Sequence, residues 1–185
     1  MTLEEKLDAL KNCGIALYPE FTVDELLTSW DREEFEEPGF DLVLVGIGMT
    51  EEKPPWRFHS PNLWHFDTEC IDDPGSYVSI AKRMAEMAGG SLPITDIEDF
   101  VDIESKKAWF SFRLDNRTIR IDCEVDNDWV DPKIFSHFVR LLKAKDPSKL
   151  YIYYDYGGQD CIIGCLTTQD YKKLRKLIPK FKPLS

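Results

Sequence analysis

Apolar residues recur at helical spacing near the start of the chain, where Leu3, Leu7 and Leu10 share one face. Thr2 and Glu5 stand at capping-box spacing and Gly14 can end the segment, which predicts a helix over residues 2–12. Thr22 and Glu25 repeat the start signal ahead of Leu26, Leu27 and Trp30, whereas Asp31 to Glu37 reads as an acidic, solvated stretch. Leu42 to Ile47 is a continuous apolar run rich in β-branched residues and predicts a strand covered on both faces. Pro54, Pro55 and Pro61 make residues 50–62 a long loop, and Trp64 to Ile71 alternates as extended chain does.

A helix should follow, with Asp73 as cap, Pro74 in the first turn, Tyr77, Ile80, Met84 and Met87 inward, and Gly89 and Gly90 at its exit. Residues 94–103 fit either a strand or a short helix. From Ala108 to Val125 the alternation predicts a hairpin turning at Asp115 and Asn116, pairing Phe112 with Ile119, Phe110 with Ile121 and Ala108 with Cys123 on one face. The other face then pairs Arg113 with Thr118, Ser111 with Arg120, Trp109 with Asp122 and Lys107 with Glu124. A helix beginning at Asp131-Pro132 would bury Ile134, Phe135, Phe138, Leu141 and Leu142 and leave His137 outward. A second hairpin, Leu150 to Leu166, turns at Gly157-Gly158, and a last helix is capped near Thr167 or Thr168 and stops before Pro179. The order predicts an α+β fold, an antiparallel sheet built from hairpins with helices packed on it, as a single domain over residues 1–185.

Charge narrows the partners. The net charge is −11 at a sequence pI near 4.8, with 14 acidic and 5 basic side chains in residues 1–58 against 5 and 11 in residues 129–185. Such a field repels nucleic acid and anionic membrane and favours a basic protein partner, or serves solubility alone. No apolar run approaches the roughly 20 residues of a spanning helix, and no export signal opens the chain, so a cytoplasmic location is expected. The five cysteines, Cys13, Cys70, Cys123, Cys161 and Cys165, are scattered without a CxxC pair and read as reduced thiols. On one strand Cys161 and Cys165 would stand about 13 Å apart, too far for a disulfide or a shared metal.

Catalytic signatures are missing from the sequence. Gly46 and Gly48 follow an apolar run as a nucleotide loop would, but Glu51 stands where a third glycine belongs and Pro54-Pro55 bar the helix. There is no Walker A loop, nucleophile elbow, HExxH or EF-hand pattern. Alternation on an extended segment places His65, Asp67 and Glu69 on one side, a set able to hold a divalent metal, though solvated strands share the pattern. Asp122, Glu124, Asp126 and Asp128 form a carboxylate stripe leading to Trp129, which reads either as a solvated edge or as a surface for docking a basic partner around an aromatic anchor. Asp155 and Asp160 would oppose each other across a Gly157-Gly158 turn, a repulsion that a cation or a wider loop must relieve.

The segments Trp64-His65-Phe66-Asp67-Thr68-Glu69-Cys70, Asp126-Asn127-Asp128-Trp129-Val130-Asp131-Pro132 and Gly157-Gly158-Gln159-Asp160-Cys161-Ile162-Ile163-Gly164-Cys165 resemble a group of small bacterial proteins akin to immunity proteins of toxin systems. The resemblance spans residues 63–178 and carries no catalytic residue. It implies a cytosolic protein that binds one toxin domain, often a basic nuclease. The expectation is therefore a protein-binding module without cofactor or metal, not an enzyme. Its surface would be Asp122, Glu124, Asp126, Asp128 and Trp129, extended by Asp155 and Asp160. The alternative is a metal-dependent hydrolase using His65, Asp67 and Glu69, or Asp155 and Asp160.

Overall fold

In the computed structural model, which describes residues 1–51 and 54–185, the chain starts as expected. Helix α1 (Leu3–Asn12) opens on a capping box in which Thr2 and Glu5 exchange hydrogen bonds, and the chain leaves it through Gly14 at φ 84°. Lys6 is 3% exposed on the inner face of α1, and its ammonium donates to the carbonyls of Phe35 (2.7 Å) and Glu37 (2.5 Å). Those carbonyls close helix α3 (Arg32–Glu36), which follows the short helix α2 (Val23–Leu26). The acidic stretch expected to be solvated is thus partly helical, because Phe35 has an apolar cluster to enter and is fully buried.

The largest departure is helix α4 (Asp41–Gly48), where the apolar run predicted a strand. Val43 through Gly48 are all buried, and an element apolar on every side satisfies a buried helix as well as a buried strand. Glycine decides how closely α4 sits. A Cβ at Gly48 would stand 2.5 Å from the His65 backbone nitrogen, so only glycine admits strand β1 (Leu63–Asp67) at that distance.

The described residues divide into two compact units. The first comprises Met1–Phe66 and Leu150–Pro183, with α1 to α4 and helix α7 (Thr168–Leu177) beside a four-stranded sheet. That sheet runs β1-β6-β5-β7, using β5 (Lys149–Gly157), β6 (Asp160–Thr167) and the two-residue β7 (Lys182–Pro183). Its core joins Leu3, Leu10, Leu44, Ile152, Ile162 and Leu174. Thr167 caps α7 by accepting from the Asp170 amide, as its position in the sequence suggested.

The second unit, Asp67–Lys149 with Leu184–Ser185, is built on the sheet β2-β3-β4. Its strands are β2 (Thr95–Asp102), β3 (Lys107–Leu114) and β4 (Arg117–Cys123), covered by α5 (Ser76–Met87) and α6 (Lys133–Lys145). The hairpin register is the expected one from Ala108↔Cys123 through Arg113↔Thr118, and Asp115 and Asn116 hold φ of 51° and 61°. The pairing of Lys107 with Glu124 is corrected: Lys107 opposes Asp102 of β2, while Glu124 lies beyond β4. Helix α5 starts later than Asp73 would set it. Gly75, at φ 107°, is its cap, and the Asp99 carboxylate of β2 accepts from the Gly75 and Val78 amides, a cap supplied from across the fold. The α+β class with antiparallel sheets therefore stands.

Candidate functional site

The hairpin register fixes the faces of the second unit. Phe110 and Phe112 point to the helices, where Tyr77 of α5 stacks on Phe110 at 5.8 Å and Phe138 of α6 stacks on Phe112 at the same distance. Trp109, Arg120 and Asp122 therefore occupy the opposite face. The Arg120 guanidinium lies 4.1 Å from the Trp109 ring centroid and 3.3 Å from Asp122 Oδ1. Past β4, Lys133 Nζ reaches Glu124 Oε2 at 2.9 Å. Two of the four stripe carboxylates thus have cations beside them.

Asp126 and Asp128 differ. The chain makes a tight turn in which the Trp129 amide donates to the Asp126 carbonyl at 3.0 Å, with Asn127 at φ 50°. Among the described residues, neither side chain has a hydrogen bond or an ion pair. The turn is then stitched to the segment after β1: Ile71 N–H donates to Asp128 O and Val130 N–H to Thr68 O, both at 2.8 Å, and Glu69 faces Trp129 in an antiparallel bridge. Trp129 keeps 40% of its surface exposed between these fixed points.

This stitching brings together two acidic segments that the sequence keeps some 60 residues apart, Asp67 to Asp72 and Asp126 to Asp128. Cys70 reports the combined field. Burial first, then the charges of Asp67, Asp72 and Asp128, push its thiol up to about 12. Sequence reasoning placed the two stripes separately because strand alternation carries no information about which loops meet.

A second feature escaped the sequence. Asp131, expected only to start a helix, is 4% exposed and accepts the Glu124 amide through Oδ2 (2.8 Å) and the Lys133 amide through Oδ1 (2.9 Å). Its own N–H donates to the Tyr77 hydroxyl at 3.3 Å. One carboxylate therefore ties the end of β4 to the start of α6 and holds the turn between them. Burial likewise raises the thiol of Cys123 to about 12, beside Tyr77.

Asp155 and Asp160 belong to the first unit. Strand β5 runs through Gly157, so the residues between β5 and β6 are Gly158 and Gln159, not the glycine pair. Asp155 accepts from the Gly157 amide at 3.1 Å, and Asp160 Oδ1 lies 3.6 Å from His65 Nε2. In place of the cation or wider loop expected between them, Asp155 has a backbone N–H and Asp160 lies near an imidazole, on a turn shifted by one residue. His65 is drawn to Asp160, while Asp67 Oδ1 accepts the Glu69 amide at 2.8 Å. Among the described residues no three His, Cys, Asp or Glu side chains converge as a metal ion would require. None of the five cysteines is in a disulfide, and Cys70 and Cys123 are half-buried rather than fully enclosed. No helix among the described residues is long and apolar enough to cross a membrane.

Comparison with protein-family models, with curated proteins and with solved structures found no match.

Proposed function

We propose that this chain is a cytoplasmic protein-binding module of immunity type, which neutralises a cognate basic toxin domain by covering its working surface. The observation that carries the reading is Trp129, an aromatic left exposed although the backbone on both sides of it is locked into bridges with Asp126 and Glu69. An exposed aromatic that costs little entropy to immobilise is the usual form of a binding hot spot. Around it stand Asp126 and Asp128, without cationic partners among the described residues, and the Asp67 to Asp72 carboxylates, a rim suited to steering a basic surface.

The test is calorimetric titration of the whole chain with the toxin domain encoded beside it. Trp129→Ala should weaken binding by about 2 kcal/mol or more, while Asp126→Asn/Asp128→Asn should weaken it at low salt more than at high salt. Tight binding that neither variant alters, with both variants folded, would remove the assignment.

A further inference from the structure

The first unit holds a cavity of about 620 Å³, within the range of small-molecule sites. Phe21, Glu25, Thr28, Trp30, Glu51 and His59 are among the side chains that line it. Several of its polar groups are left as acceptors. His59 Nδ1 lies 2.8 Å from the Gly46 carbonyl oxygen, which can only accept, so Nδ1 carries the proton and Nε2 is the acceptor of the neutral ring. The Thr28 hydroxyl donates its hydrogen to Glu25 O at 2.7 Å and keeps its lone pairs. Glu25 takes the Thr22 amide and hydroxyl on Oε2, which leaves Oε1 without a hydrogen bond among the described residues, and its charge is felt by the Arg57 guanidinium.

The same wall already accommodates a delocalised cation. Arg57, held by both carboxylate oxygens of Glu51 at 2.8 and 3.0 Å, places its guanidinium 5.3 Å from the Phe21 ring centroid. Phe21 in turn lies 4.6 Å from the His59 ring. With Arg57 already paired with Glu51, the groups left open are acceptors, so a ligand bringing N–H donors and positive charge satisfies them, whereas a carboxylate or phosphate would meet Glu25 and two further acceptors.

We propose that this cavity binds a small organic cation bearing N–H donors, with Glu25 as its counter-ion, His59 Nε2 and Thr28 Oγ1 as acceptors, and Trp30 and Phe21 as aromatic walls. The site shares no residue with the Trp129 turn, so either reading can fail without the other. The experiment is an NMR titration of the full chain with n-butylguanidinium and n-butylammonium, beside n-butanol and butyrate. The cations should give saturable shifts at the Trp30 indole and the His59 ring, and the neutral and anionic analogues should not. Glu25→Gln, whose amide oxygen still accepts from the Thr22 amide in the capping box, should weaken binding about tenfold. If that variant loses thermal stability, Thr28→Val carries the same test: weakened binding supports the site and unchanged binding overturns it. Equal responses to butanol or butyrate, shifts scattered away from the cavity, or wild-type affinity in a stable Glu25→Gln would also overturn it.

Discussion

The Glu124 amide donates to the buried Asp131 carboxylate at 2.8 Å, and the exposed acidic stripe therefore hangs from a carboxylate that no partner can reach. Both Asp131 oxygens accept backbone N–H groups, so Asp131→Asn sets an amide NH2 against one of those donors. Loss of a buried charge-assisted acceptor costs about 2–3 kcal/mol. Urea unfolding should show the midpoint of Asp131→Asn falling accordingly, and a midpoint equal to wild type would contradict the role given to Asp131.

Stripe carboxylates should not be equivalent in binding. Asp122 and Glu124 stand beside Arg120 and Lys133, whereas Asp126 and Asp128 have no such cation among the described residues. Asp122→Asn and Glu124→Gln should therefore change the association rate with a basic partner less than Asp126→Asn and Asp128→Asn do, and all four effects should shrink at high salt. Stopped-flow association at two ionic strengths decides it, with equal slopes for all four variants as the contrary result.

At Gly48 the close approach of α4 to β1 gives a packing prediction. A Cβ 2.5 Å from the His65 backbone nitrogen has no flexible neighbour to displace, so Gly48→Ala should cost about 1–3 kcal/mol. Calorimetric melting of this variant at wild-type Tm would show that the two elements can separate without loss.

Acid should destabilise the fold. A hydrogen bond from Arg57 lowers the Glu51 pKa, Ser148 and Ser91 do so for Asp146, and Lys173 and Thr167 for Asp170. Because each folded value lies below the unfolded one, the unfolded chain binds more protons. The stabilisation is present above the ordinary carboxylate range near pH 4 and is lost as pH falls through the folded values. Cys70 and Cys123 act at the other end: raised from 9.0 to about 12, their thiols favour the folded state below pH 9 and withdraw that support as pH rises toward 12. Denaturation midpoints across pH 2–11 should therefore fall at both ends, and a curve flat down to pH 2 would be inconsistent with the acidic part.

The hairpin of β3 and β4 was legible because both of its faces are specified, apolar pairs within and polar pairs without, and because Asp115-Asn116 suits positive φ. Helices α1, α6 and α7 were legible through amphipathic spacing and their start and stop signals. Asp41–Gly48 was not, since a run without a polar face has no period to read and only the surrounding core selects helix over strand. For the candidate site, the residues of the stripe could be named but their neighbours could not. The join between Thr68–Ile71 and Asp126–Val130 is made by backbone hydrogen bonds, which leave no mark on side-chain identity. The Asp99 cap on α5 is likewise a long-range use of an ordinary aspartate, and the Asp131 tie, though local, is made to backbone amides that side-chain spacing does not mark.

Strand order has a consequence during synthesis. The sheet neighbour of β1 (Leu63–Asp67) is β6 (Asp160–Thr167), so roughly 90 residues must leave the ribosome before that edge is paired. Strands β2, β3 and β4 are sequential neighbours and lie wholly within that interval. Short-range pairing closes faster than long-range pairing, so the three-stranded sheet should form on the nascent chain while Leu63 and the apolar faces of α1 to α4 still wait for β6. The waiting segment, not the three-stranded sheet, should then be the target of chaperones and the origin of aggregation when translation stalls near residue 150. Pulse-labelled hydrogen exchange on refolding protein would test the order: Phe110 and Ile121 amides should be protected before those of Leu63 and Ile162, and the reverse sequence would overturn it.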